Sequence, residues 1–165
     1  MTAAGPAIVD NTFVSPRACG PCGFCCEILQ FGPPPKPPDF QCIWTFAALL
    51  DERWRPDRCR FVIRSGPVEE LVIDVDLEDP GAWKREPFYG QIKAWSTRRA
   101  MPIKPVFVRS AGHVHVVFPE GEIDLGPEQF NTPIQSGYVY RNGRNQPYAH
   151  YGTDPDPPPA PAANR

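Results

Sequence analysis

Four cysteines fall within eight residues near the start of the chain, and their spacing is typical of a metal site. They are Cys19, Cys22, Cys25 and Cys26, in the run CGPCGFCC, so two C-x-x-C units share the second cysteine. A thiolate reaches a metal at ~2.3 Å, and two thiolates separated by two residues do so from one tight turn. Gly20, Pro21 and Gly23 predict such a turn. Because these thiolates concentrate negative charge, we expect a bound cation.

Two later cysteines are the candidates for the remaining ligand or ligands. Cys59 lies in ERWRPDRCRF, whose arginines would offset thiolate charge or lower thiol pKa values; they are Arg53, Arg55, Arg58 and Arg60. Cys42 begins an apolar segment that we predict to be helical, and a helix N-terminus favours a thiolate. The alternative for each is an ordinary buried cysteine. All six cysteines are therefore candidate metal ligands.

The two cysteine motifs together resemble those of the bacterial YkgJ-type cysteine-cluster proteins, described as zinc- or iron-chelating domains. The family signature C-x-x-C-x-x-C-C matches Cys19, Cys22, Cys25 and Cys26, and its later R-P-x-x-C-R matches Arg55, Pro56, Cys59 and Arg60. The resemblance covers about residues 18–64. Family members carry further cysteines between the motifs, whereas this chain has Cys42 and a proline-rich spacer at 32–40. In an alternative register Cys42 matches the family's last cysteine, and Cys59 is not a ligand.

Four thiolates suit either tetrahedral zinc or an iron–sulfur cluster, and six also suit two zinc ions. Zinc is slightly favoured, because nothing else in the sequence indicates electron transfer. The leading interpretation is a metal-binding protein of undefined biochemical role, whose metal acts structurally or helps a protein partner to bind. One alternative is a thiol–disulfide redox protein or sensor that uses C-x-x-C. Another is a protein-interaction module recognised through its proline-rich spacer or tail.

Composition excludes other classes. A net charge of −2 and a pI of about 5.9 argue against a nucleic-acid partner. No run approaches the ~20 apolar residues of a membrane span, and residues 1–18 lack the pattern of a secretory signal. We therefore expect a cytoplasmic protein, in which thiols stay reduced and bind metal rather than form disulfides. The common catalytic motifs are absent, so the sequence assigns no enzymatic activity.

The chain is predicted to form a single α+β domain over residues 18–151, with the cysteine segment at 18–60. Residues 1–17 are expected to be a flexible lead-in, and residues 152–165 a disordered proline-rich tail. The predicted architecture is a small antiparallel sheet with two or three short helices.

Hydrophobic periodicity predicts the elements of this domain. Helices are expected over 42–53, where Pro56 ends the first, and over about 87–99, after a short turn near 80. Segments 60–64 and 71–77 predict a hairpin. Four more short strands, expected to form an antiparallel meander, are predicted at 104–109, 113–118, 122–125 and 137–141.

Two pairs of polar residues share a strand face and offer other chemistry. His113 and His115 suit a shared metal or a pocket, although a solvated strand face is the more ordinary explanation. Asp74 and Asp76 suit acid–base work or a hard cation, although a charged outer face that discourages edge pairing accounts for them more simply.

Overall fold

The computed structural model describes residues 24–29, 42–45, 47, 49–66, 70–97 and 105–153. The predicted lead-in, the proline-rich spacer and all but the first two residues of the predicted tail lie outside these ranges.

In the described part of the chain, five strands form one sheet and two more form a second sheet. The first sheet contains β1 (Phe61–Ser65), β2 (Leu71–Val75), β3 (Val106–Ser110), β4 (His113–Phe118) and β5 (Gly121–Pro127), which are neighbours in that order. The β2–β3 pair is parallel, and the other pairs are antiparallel. The second sheet is the antiparallel pair β6 (Ile134–Arg141) and β7 (Arg144–Tyr151).

The helices among the described residues are short. They are α1 (Phe24–Ile28), α2 (Pro56–Cys59) and α3 (Phe88–Thr97), with 3-10 turns at Ile43–Thr45, Glu52–Trp54 and Ala82–Lys84. The predicted helix over 87–99 is confirmed as α3, and the short turn before it as Ala82–Lys84. Ile92 and Trp95 of α3 are 0% and 4% exposed, so the apolar face that the periodicity predicts is buried.

The helices and the sheet share a core rich in aromatic side chains. Ile63, Ile73 and Val108 form one cross-strand row, and all three belong to the main buried cluster. Above it, the Trp54 ring lies 4.8 Å from Phe88 and 5.0 Å from Trp95, measured between ring centres. Burying such rings accounts for much of the stability of a small domain.

The opposite face of the sheet carries both charged and apolar side chains. Arg64, Val72 and Phe107 form a cross-strand row there. Farther along that face, Val116 and Phe118 pack with Ala149 of β7 in a second, smaller cluster. The β6–β7 hairpin therefore covers the β4 end of this face.

The α+β class is confirmed, but the prediction of an antiparallel sheet is wrong at one pair. The chain leaves β2, passes through α3 and returns to β3 in the same direction, which is the connection that parallel strands require. The predicted hairpin is confirmed as β1–β2, with the Gly66 amide donating to the Glu70 carbonyl at 2.7 Å.

The predicted helix over 42–53 is also wrong, because the chain forms two separate 3-10 turns there. Asp51 is extended (φ −73°, ψ −178°), and its carboxylate accepts a hydrogen bond from the Arg53 amide at 2.8 Å. This cap starts a new turn rather than continuing a helix. Pro56 occupies the first turn of α2, where its missing N–H costs nothing, so it begins a helix instead of ending one.

The predicted meander is confirmed for β3, β4 and β5. Segment 137–141 belongs instead to β6, which pairs with β7 in the second sheet. No helix in the described ranges is long and apolar enough to cross a membrane.

Candidate metal centre

Three of the six predicted ligands have described side chains, and all three are buried. Cys25, Cys42 and Cys59 are 1%, 2% and 2% exposed, and they belong to the same core cluster. Cys19, Cys22 and the side chain of Cys26 lie outside the described part of the chain. The structure therefore brings into one core three cysteines that are far apart in sequence.

Cys25 is carried by α1, which packs against β1 and α2. Its carbonyl accepts a hydrogen bond from the Leu29 amide at 3.0 Å, as in a regular helical turn. The preceding Phe24 is 5% exposed, and the Arg60 guanidinium lies 4.6 Å from the centre of its ring. These contacts fix α1 beside the end of α2.

Cys42 lies along the outer side of β1, where it forms an isolated antiparallel bridge with Arg64. Its carbonyl accepts from the Thr45 amide at 3.0 Å and from the Thr45 hydroxyl at 2.7 Å. The turn after Cys42 is thus closed by hydrogen bonds. Because the bridge also covers part of the β1 edge, Cys42 has a structural role whether or not it binds metal.

Cys59 is the last residue of α2, and its sulfur faces backbone carbonyls. The thiol Sγ lies 3.2 Å from the Phe61 oxygen and 3.5 Å from the Trp54 oxygen. A thiol donates a weak hydrogen bond in such surroundings, whereas a thiolate would be repelled by the carbonyl oxygens. The Cys59 thiol is therefore positioned to donate to these carbonyls.

The described cysteines do not complete a metal site by themselves. No group of three or more His, Cys, Asp or Glu residues within the described ranges is arranged to hold a metal ion. The donors are soft thiols, which suit zinc and iron–sulfur clusters. A site built on Cys25 would therefore take ligands from the neighbouring cysteines of the run.

The arginines around Cys59 are paired with carboxylates. Arg55 donates to Asp57 at 2.6 Å, and the Arg53 guanidinium contacts Asp51 at distances down to 2.5 Å. Arg60 pairs with Asp76, which is 8% exposed. The hydrogen bond from Arg55 holds the pKa of Asp57 below its usual value. Each of these three arginines therefore already has a carboxylate partner, and of the three Arg60 is the one next to α1.

A second group of titratable side chains lies at the other end of the sheet, on the face that carries the helices. His113 Nδ1 is 3.1 Å from both carboxylate oxygens of Asp124, and the ring centres of His113 and His115 are 6.4 Å apart. His115 also contacts Trp83, with ring centres 5.3 Å apart, so it does not lie on a freely solvated face. Burial is the main cause that lowers the pKa of His115.

The acidic partners of this group were not among the residues singled out from the sequence. Burial favours the neutral form of Glu122, but hydrogen bonds from Lys84, at 2.7 Å, and from the Tyr89 hydroxyl outweigh it and hold the pKa of Glu122 below its usual value. Burial and the contact with Glu122 raise the pKa of Tyr89 to about 12. The signal in the sequence that could have indicated them is the alternation of Glu122 and Asp124 along β5, where Asp124 pairs with His115 of β4.

Comparisons with family models, with curated proteins and with solved structures give no match to this chain. The resemblance to the YkgJ-type proteins therefore stays a prediction.

Proposed function

We propose that this chain is a metal-binding protein that chelates zinc or an iron–sulfur cluster through its cysteines, with zinc slightly favoured. The candidate ligands are Cys19, Cys22, Cys25, Cys26, Cys42 and Cys59. One observation carries the proposal: Cys25 of the run reaches, from α1, the buried cluster that also holds Cys42. Cys59 belongs to the same cluster, but its sulfur faces carbonyl oxygens, so it is the candidate that a four-ligand site can lack. The contacts of α1 hold Cys25, near the end of the four-cysteine run, at this place in the fold.

The position of the cluster indicates a structural role for the metal. The apolar residues of β1 to β4 and the rings of Trp54, Phe88 and Trp95 supply a core at some distance along the chain from the run. The metal would organise the N-terminal third, which contains the four-cysteine run. A segment ordered in this way presents a defined surface to a protein partner. A cytoplasmic location belongs to the same proposal, since a reducing compartment keeps thiols available.

Burial also weighs against the redox alternative. Thiol–disulfide exchange requires a thiolate that another sulfur can reach, and the described cysteines are at most 2% exposed. Metal coordination has no such requirement, because a structural site is closed.

The test is metal and sulfide analysis of the full chain purified without air, together with its visible absorption spectrum. Stoichiometric zinc in a colourless protein, or iron with inorganic sulfide in a coloured one, would support the proposal and identify the metal. Metal-free, folded protein in which all six thiols react would overturn it. Reversible loss of two thiols under mild oxidant, without metal, would favour the redox alternative.

The matched variants are Cys22→Ser, in the centre of the run, and Ser110→Cys, which adds a thiol at the far end of β3. Loss of metal is expected in Cys22→Ser and not in Ser110→Cys. Retention of full metal content by Cys22→Ser would contradict a site built on the overlapping C-x-x-C units.

A further inference from the structure

A cavity of about 970 Å³ lies between the five-stranded sheet and the β6–β7 hairpin. Its floor, on the face of the sheet opposite the helices, includes Val72 and Phe107. Three more aromatic side chains line it, namely Tyr148 and Tyr151 of β7 and Phe130 of the loop before β6. Grooves lined by aromatic side chains are a common way of binding proline-rich segments, which enter them as a polyproline II helix.

The charged side chains of the cavity do not select a charged ligand. Arg64 pairs with the buried Asp74 carboxylate at 2.6 Å, and Arg109 pairs with Glu128 at 2.8 Å. Glu70 lines the cavity as well, so both signs of charge are present. A ligand held here is therefore recognised through apolar contacts with the aromatic side chains.

Phe130 is presented at the rim of the cavity by a closed turn. The Thr132 amide donates to the Gln129 carbonyl at 3.3 Å, and Asn131 between them has a left-handed backbone (φ 62°), which asparagine tolerates better than most residues. The Phe130 side chain is 81% exposed. This ring extends the apolar surface of the cavity into the space that a ligand would enter.

The Tyr151 hydroxyl lacks a hydrogen-bond partner among the residues that the structure describes, although it is buried. Buried hydroxyls are normally paired, because an unpaired one costs free energy. A polyproline II segment makes no internal hydrogen bonds, so its backbone carbonyls are available as acceptors. A proline-rich ligand would therefore supply the acceptor that Tyr151 lacks within the described ranges.

The chain carries a proline-rich segment directly beside this cavity. The Gly152 amide donates to the carbonyl of Pro133, which lines the cavity, at 2.9 Å. Gly152 has φ 113°, so the chain turns at the end of β7. Residues 155–161 then read PDPPPAP, with two overlapping P-x-x-P motifs. At ~3.1 Å per residue, the eight residues from 154 to 161 span about 25 Å, which is long enough to lie along the cavity.

We propose that the proline-rich segment 155–161 binds in this cavity of its own chain as a polyproline II helix. Its prolines pack against Phe130 and Tyr148, and one of its carbonyls accepts a hydrogen bond from the Tyr151 hydroxyl. Because the segment is tethered at the edge of the cavity, its effective concentration is on the order of millimolar, so weak contacts suffice. A proline-rich segment of another protein binds only after displacing it. The cavity is on the opposite face of the sheet from the helices, so this proposal does not depend on metal binding.

The test uses a tail variant, which is the full chain with Pro155→Ala, Pro158→Ala and Pro161→Ala, so that both P-x-x-P motifs are lost. A fluorescein-labelled peptide of residues 154–162 is titrated with each protein and followed by fluorescence anisotropy. The peptide is expected to bind the tail variant at one site and the wild type about tenfold more weakly, because the tethered segment competes with it.

Further substitutions in the tail variant locate the peptide. Phe130→Ala removes the ring at the rim, and Tyr151→Phe removes the hydroxyl but keeps the ring. Each is expected to weaken peptide binding by about threefold or more. The matched control is Tyr140→Ala, which removes an aromatic side chain that is 72% exposed and does not line the cavity, and it is expected to leave the affinity unchanged.

Equal affinity of the peptide for the wild type and the tail variant would show that the tethered segment does not occupy the cavity, and would overturn the proposal. Absence of binding to the tail variant, or an unchanged affinity in Phe130→Ala or in Tyr151→Phe, would overturn it as well. A peptide of residues 32–40 represents the other proline-rich segment of the chain. Tighter binding of that peptide than of the 154–162 peptide would make the spacer the occupant and would also contradict the proposal.

Discussion

The Arg60 guanidinium stacks over the Phe24 ring, 4.6 Å from its centre, while the same side chain pairs with Asp76. One residue thus connects the helix of Cys25 to the end of β2. Arg60 also has a left-handed backbone (φ 65°), which ends α2 and turns the chain into β1. Arg60 therefore adds to the packing of α1 on β1 and α2 in holding the cysteine helix against the sheet.

Replacing Arg60 with Gln should loosen α1. The change removes the cation–π contact, which contributes about 0.5–1 kcal/mol at a site with some exposure, and also the ion pair with Asp76. The left-handed backbone requirement stays as it was. We expect Cys25 to react with iodoacetamide about fivefold faster, as followed by mass spectrometry of peptides. Arg85→Gln is the control, because its partner Asp79 lies outside this region. An unchanged rate at Cys25 would show that Arg60 does not hold α1.

The Cys59→Ser variant should keep its metal. A serine hydroxyl retains a donor toward the Phe61 carbonyl, which the Cys59 thiol faces at 3.2 Å. We expect metal content per chain to equal that of the wild type, whereas Cys25→Ser should lose metal. Metal loss in Cys59→Ser would instead make Cys59 a ligand, in agreement with the register that aligns it with the family motif.

Replacing Asp74 with Asn should destabilise the fold. Asp74 is 6% exposed between Arg64 and Arg109, and removing one partner of a buried ion pair costs about 3–5 kcal/mol because charge is left uncompensated. Urea unfolding measures the loss. Arg85→Gln, at an exposed pair, should cost less than about 1 kcal/mol. A similar small cost for both variants would show that Asp74 is not required as a counter-ion.

Stability should fall as the pH drops below the ordinary histidine pKa, and His115 should be a cause. Burial lowers the pKa of His115 in the folded protein below its ordinary value of 6.5. The unfolded chain therefore takes up a proton first, so stability is present above about pH 6.5 and is lost as pH falls toward the lower folded-state pKa. Urea midpoints at several pH values should show a smaller loss in His115→Gln. An identical pH dependence in the two proteins would contradict this assignment.

The sequence predicts the hairpin β1–β2 and helix α3 because both are local. Residues 71–77 alternate and follow a glycine-containing turn, and α3 repeats apolar residues at helical spacing. The parallel β2–β3 pair is not visible in such patterns, since it depends on how the chain returns after α3. Strand pairing between distant segments is decided by the packed core rather than by any short window.

Asp74 shows how a strand pattern misleads. Its alternation with Ile73 and Val75 indicates a half-exposed strand, yet β2 lies between β1 and β3 and all five of its residues are buried. The prediction of a charged outer face is therefore wrong at Asp74. Its partners Arg64 and Arg109 are on neighbouring strands and could be matched to it only once the registers were known.

More of the candidate metal site than of the cavity beneath the β6–β7 hairpin could be predicted from the sequence. The cysteine spacing is a local signal, although the burial of Cys42 beside Arg64 is not. The cavity of about 970 Å³ between the five-stranded sheet and the β6–β7 hairpin is lined by residues of β1 to β4, the loop after β5 and the second sheet, which lie far apart along the chain. Glu128 and Arg109 carry no motif, because their pairing arises from the fold alone.

The parallel pairing of β2 with β3 also has a consequence for the order of folding. Every other strand pair joins segments that are adjacent along the chain, but β2 and β3 meet only after the whole α3 connection has closed. Closing that connection costs chain entropy before the contacts between β2 and β3 can offset the cost. This pairing is therefore expected to form in the slow step of folding. Until it forms, β2 and β3 each present a strand edge to other chains, and refolding at high concentration should compete with aggregation.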